Sequence, residues 1–251
     1  MRPILVTLPR TGSTLITELL GSIAIEHYGY KNTLQEYFSL NTLYKERFDN
    51  VNGIVKSTYF ERVNGNHYPY KVLELQKRID LLSNDYNYMI KVLVDGPLET
   101  VVTNFIKNYD IIYLERKDRL TQYISHMHMS GVNISHYKKN SPNVKQIVYW
   151  SNLRDEFLEL NRIYYDFKKS NSSNYPTIYY EDFMEHGGDK QALVKLLNLD
   201  ISVNNEHSVS TIPTPYTSTN IEDLILNKKE WLQDREYIYL SLIHISEPTR
   251  Q

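Results

Sequence analysis

Six consecutive residues, Pro9, Arg10, Thr11, Gly12, Ser13 and Thr14, form the part of this chain whose chemistry is most easily read. They follow the apolar run at 4–8 and precede Ile16, Leu19, Leu20 and Ile23 at helical spacing. A turn of this composition suits an anion. Glycine admits close backbone approach, and the N–H groups of Gly12, Ser13 and Thr14 are the unpaired donors of a helix start. The Ser13 and Thr14 hydroxyls add donors, and Arg10 adds a permanent charge with a forked donor set. The same strand, turn and helix also serve plain helix capping.

Further along, Arg116 follows the apolar run "DIIYLE", and Ser125 comes nine positions later on an expected helix with Asp118 as its cap. Glu36, in "TLQEYF", is a carboxylate that would need partial desolvation to gain basicity beside an arginine. Lys91, in "YMIKVLV", puts a positive charge at a strand end, where lysines are as readily solvated. His126, His128 and His136 invite a metal reading. Positions 126 and 128 fall on different faces of a helix and no carboxylate cluster accompanies them, so no metal is expected. Tyr123 and His128 are candidates to line a ligand cleft.

These side chains need a scaffold that delivers strand ends to one place. Strands are expected at 3–8, 53–57, 88–94, 110–115 and 176–180. Helices are expected from Thr14 and over 70–83, 97–108, 118–129 and 143–168. In the last, Ile147, Trp150, Leu153, Phe157, Leu160, Tyr164 and Phe167 make a core-packing stripe. Residues 168–176 read as a surface loop. Continuous apolar strands suit a parallel sheet covered on both faces. Their alternation with helices implies an α/β, doubly wound, mainly parallel sheet whose ligand sits beyond the strands' carboxyl ends.

A chain of 251 residues with 41% hydrophobic content can bury one large core. Its 28 basic and 30 acidic residues balance, so no global field argues for nucleic acid or an anionic membrane. The absence of cysteine excludes disulfides, thiolate zinc sites and cysteine nucleophiles. No apolar run approaches the roughly 20 residues that span a bilayer. The opening "RPILVTL" has no signal-peptide character, and a soluble, cytoplasmic protein is the expectation. The stretch "LSLIHISEPTR" resembles the translation of a transposon-end sequencing adapter. Residues 240–251 are therefore expected to be non-native, and 1–239 to form a single domain.

The early turn lacks G-x-x-x-x-G-K-[ST], so the lysine and Mg²⁺-holding hydroxyl of nucleoside triphosphatases are not in their usual places. "PRTGST" instead resembles, at every position, the 5′-phosphosulfate loop of sulfotransferases that use 3′-phosphoadenosine 5′-phosphosulfate (PAPS). That family's loops typically read Pro-[Lys/Arg]-[Ser/Thr]-Gly-[Ser/Thr]-Thr. The resemblance implies a P-loop-containing fold, with Arg10, Thr11, Gly12, Ser13 and Thr14 around the donor's 5′ end. It also implies that Arg116 and Ser125 hold the 3′-phosphate. The spacing of Arg116, Asp118, Gln122 and Ser125 is most similar to the bacterial trehalose and nodulation-factor enzymes.

"TIYYEDF" resembles a late Tyr-Glu-Asp element of the family, which implies Tyr180 at the adenine, with Glu181 and Asp182 structural. "EYF" resembles the family's Pro-x-Glu-Tyr-Phe element and implies Glu36 as base, although Leu34 stands where the proline is usual. Lys91 is similar in position to a lysine beside the transferring group. For the basic glycine loop that closes the 3′ site in relatives, only "TPYTSTN" (214–220) is available. The implied acceptor is a carbohydrate or other alcohol, with no metal. A divergent P-loop kinase or nucleotidase, and a non-catalytic module that binds 3′-phosphoadenosine 5′-phosphate (PAP), fit the same turn.

Overall fold

The computed structural model describes residues 2–38, 42–51, 54–64, 71–83, 87–132, 149, 151–171, 175–204 and 225–246. In chain order the elements begin with β1 (Pro3–Thr7), α1 (Ser13–Tyr28), β2 (Asn32–Leu34), β3 (Thr42–Val51), β4 (Ile54–Asn64) and α2 (Lys71–Ser83). Next come β5 (Tyr88–Leu93), α3 (Thr100–Ile106), β6 (Asp110–Glu115), α4 (Arg119–Val132) and α5 (Ser151–Ser170). The chain continues through β7 (Thr177–Tyr179), α6 (Tyr180–Glu185), α7 (Lys190–Leu196) and α8 (Lys228–Ser246). A five-stranded sheet runs in the order β2-β5-β1-β6-β7, and every pairing in it is parallel. β3 and β4 pair with each other as an antiparallel hairpin.

Strand periodicity decides which face each side chain reaches. In β1, Ile4 and Val6 enter one core with α2, α3 and α5, while Leu5 enters a second core with α1, α6 and α7. Helices therefore cover both faces, as the uninterrupted apolar strands require. A third cluster joins Tyr123 and Ile124 of α4 to Phe157 of α5 and to Trp231, Ile238 and Leu242 of α8. At Gly21, a Cβ would overlap the Thr33 hydroxyl, so glycine lets α1 lie directly on β2. That close approach offsets the roughly 1 kcal/mol that glycine costs inside a helix.

Several expectations change. The weak strand at 53–57 becomes β4, which extends to Asn64 in the hairpin instead of joining the sheet. The short β2 and the helices α6, α7 and α8 add to the expected elements. The surface loop at 168–176 starts later, because α5 continues through Ser170 and Asn171 is buried. Of the expected helix 143–168, residues 143–148 and Trp150 lie outside the described residues, as do His136 and 214–220. The segment 240–246 continues α8, and Leu242 is buried at helical spacing from Trp231 and Ile238. No helix among the described residues is long and apolar enough to cross a membrane.

Candidate functional site

The chain leaves β1 for β2 on one side of the sheet and β6 for β7 on the other. The crevice beyond the carboxyl ends of β1 and β6 is therefore the topological switch point, where ligands of such sheets bind. Thr7 pairs with Leu114 at this end, so the turn at 9–14 and Arg116 leave neighbouring strands together.

The turn is held from below. The Thr11 hydroxyl is buried against the Thr7 hydroxyl at 2.5 Å and donates to the Leu8 carbonyl at 3.1 Å. Thr11 thus offers a ligand only its backbone, a narrower part than its place in the motif suggests. Gln122 of α4 donates to the Pro9 carbonyl at 2.8 Å, and Arg10 Nε donates to Ser125 Oγ at 3.0 Å. Arg10 adopts a left-handed backbone with φ 65°. Such a conformation costs a non-glycine residue about 1–3 kcal/mol and persists where its surroundings impose it. Gly12, with φ 82°, caps α1 without a side-chain hydrogen bond. Ser13 is buried, whereas Thr14 is exposed at the open helix N-terminus. Backbone N–H groups there have no intrahelical acceptors, and the helix dipole favours an anion.

Alternation along β6 sends consecutive residues to opposite faces. Glu115 turns toward α5 and is 3% exposed, where it accepts hydrogen bonds from Arg119, Tyr164, Tyr165 and Lys168. Sequence reading missed this carboxylate, whose donors come mostly from a helix about 50 residues away. Arg116 turns toward α1's face. Its guanidinium carbon lies 4.5 Å from the Tyr180 ring centroid, and a Cβ on Gly12 would overlap that same ring. Among the described residues the buried Arg116 Nε has no hydrogen-bond partner, which suits a group meant to meet an anion. Burial pushes the Tyr180 hydroxyl up from its ordinary range, against the pull of Arg116.

Glu181 accepts from the backbone N–H groups of Lys117 and Asp118, and Asp182 pairs with the Lys117 ammonium. These contacts bind α6 to the loop after β6. Asp118 accepts from the Thr121 N–H at 2.9 Å and so caps α4.

On the other side of β1, alternation puts Lys91 on the α1 face, in register with Leu5. Its side chain is 1% exposed, and its ammonium lies 3.2 Å from Glu36 Oε1. A buried lysine needs such a partner. Glu36 is 20% exposed and, like Arg10, holds a left-handed backbone, with φ 55°. Desolvation holds the Glu18 carboxyl of α1 above the usual carboxylate range, with Lys91 opposing it. Glu36 and Lys91 thus meet each other, while Arg10, Gly12, Ser125, Arg116 and Tyr180 form a linked group around the crevice.

Two expectations fare differently. Tyr123 is fully buried between Phe157 and Trp231, so it is core and lines no cleft. His126 is buried with Nε2 3.6 Å from Glu156, and the side chain of His128 lies outside the described residues. Among the described residues no group of His, Cys, Asp or Glu is arranged to hold a metal. Comparison of the chain with protein-family models, curated proteins and solved structures returned no match.

Proposed function

We propose that this chain is a sulfotransferase that moves the sulfuryl group of PAPS to an alcohol, with a carbohydrate hydroxyl as the acceptor class and the cytoplasm as its compartment. One observation carries the reading. The turn at 9–14 and the segment from Arg116 to Ser125, matched to opposite ends of one donor, are joined by the Arg10–Ser125 bond and the Gly12–Tyr180–Arg116 stack.

In this reading the α1 N-terminus and Arg10 receive the 5′ end of the donor, and Arg116 with Ser125 receives the 3′-phosphate. The acceptor oxygen attacks sulfur in line, and its proton passes to Glu36. The new S–O bond forms as the bond from sulfur to the bridging phosphate oxygen breaks, and the electron pair leaves with PAP. Arg10 stabilises the departing oxygen, and Lys91 offsets charge beside the transferring group. A sulfuryl group carries less negative charge than a phosphoryl group, so fixed cations and N–H donors suffice where kinases employ Mg²⁺.

Incubation with sulfur-labelled PAPS and a panel of glycans, without divalent metal, tests the proposal. Label is expected on a glycan hydroxyl. Phosphoryl transfer from ATP that depends on Mg²⁺, with no label transfer, would instead support the kinase reading.

A further inference from the structure

We propose that Arg78 and Tyr37 are positioning residues that hold Glu36 at the reacting centre; the inference rests on Glu36 being the base of the proposed transfer. Arg78 lies in α2 and is 2% exposed. Arginine is rarely buried so fully unless something fixes it. Its NH1 group donates to the Tyr37 carbonyl at 2.5 Å, and its guanidinium carbon sits 5.9 Å from the Tyr37 ring centroid. The Tyr37 hydroxyl donates back to the Arg78 carbonyl at 3.2 Å. Two residues 41 positions apart therefore grip each other by ring, hydroxyl, guanidinium and both carbonyls.

Tyr37 directly follows Glu36. Two residues before the glutamate, buried Leu34 anchors the chain in β2, in register with Ile90 of β5. Glu36 is thus suspended between a sheet anchor and the Arg78 clamp, across a turn that bends it into the left-handed region at φ 55°. A glutamate is uncommon at such a φ and persists there where its surroundings impose it, as the two anchors do here. From that position its carboxylate reaches Lys91, the residue after Ile90. A charge-assisted bond from guanidinium to carbonyl is stronger than a neutral one, which fits a contact whose task is to fix a direction.

The test uses the full chain, with lysine ammonium resonances and their solvent exchange read by nitrogen-15 NMR at neutral pH. In the unaltered protein, a slowly exchanging ammonium is expected, assigned to Lys91 by its loss in Lys91→Met. Arg78→Met should shift that resonance and speed its exchange about tenfold, because a displaced Glu36 no longer covers the ammonium. Tyr37→Phe keeps the ring and removes only the hydroxyl. It should show the same effect more weakly, and it provides the reading if Arg78→Met does not fold. Arg78→Lys, which retains a donor, should restore part of the protection.

In the transfer assay the folded variants should lose about tenfold in kcat with little change in donor KM. A Lys91 ammonium that exchanges like surface lysines, or that is unmoved in folded variants, overturns the positioning role even if transfer occurs. Protection lost as expected in a protein that transfers nothing from PAPS leaves the clamp standing and removes the proposed reaction instead.

Discussion

The guanidinium of Arg116 lies over the ring of Tyr180, 4.5 Å from its centroid, and the same ring occupies the space beside Gly12 where a side chain would begin. Through one tyrosine, a residue from the end of β6 meets the turn that follows β1. A cation over an aromatic face gains about 0.5–2 kcal/mol depending on its exposure, enough to fix the direction of the guanidinium. One face of Tyr180 is therefore committed to Arg116, and in the proposed reading an adenine would have to use the remaining face or the hydroxyl.

Gly12 is required twice, for its φ of 82° and for the missing Cβ. Gly12→Ala should destabilise the protein by about 1–3 kcal/mol in urea unfolding and weaken donor binding. Adding Tyr180→Ala frees the space but not the backbone, so only part of the stability should return. Full recovery in the double variant would mean that the backbone conformation is not the constraint.

Glu36→Gln keeps an acceptor for the buried Lys91 ammonium, so the fold should persist while the proton acceptor is lost. Single-turnover transfer should fall by roughly 100-fold or more, with PAP affinity within about twofold of the unaltered protein. Unchanged turnover would remove Glu36 as the base.

His126 introduces a pH dependence of a definite sign. Burial holds its pKa below the ordinary histidine value; Glu156 opposes this and the Arg10 charge reinforces it. With the folded pKa depressed, the unfolded chain binds the proton first. Stability should therefore be complete above the ordinary pKa near 6.5 and decline as pH falls below it. Urea titrations between pH 8 and about pH 5 should show this decline, and His126→Gln should flatten it. An unchanged slope in the variant would assign the effect to other groups.

Much of the scaffold is legible in the chain because β1, β5 and β6 are mostly apolar on both faces, a pattern that suits a covered parallel strand. The turn at 9–14 and Arg116 could be located for the same reason, since each follows such a strand. The hairpin was largely missed. Its strands mix apolar and charged residues without a continuous apolar run, as in "TLYKERFDNV", which yields a weaker strand signal. Glu115 and Arg78, and the burial of Lys91, were harder still. A charge in a core is acceptable only when its partners arrive from distant elements, such as Tyr165 and Lys168 for Glu115 or Tyr37 for Arg78. Local sequence carries no record of those meetings.

The central claim is that Arg10 and Arg116 grip opposite ends of one adenosine compound, and calorimetric titration tests it most directly. PAP, adenosine 5′-phosphate and Mg²⁺-ATP would each be titrated into the unaltered protein and into Arg116→Ala. The account predicts that PAP binds the unaltered protein at least about tenfold more tightly than adenosine 5′-phosphate, and that Arg116→Ala erases most of this preference. Equal affinities for the two nucleotides, equal losses in the variant, or tighter binding of Mg²⁺-ATP would contradict it.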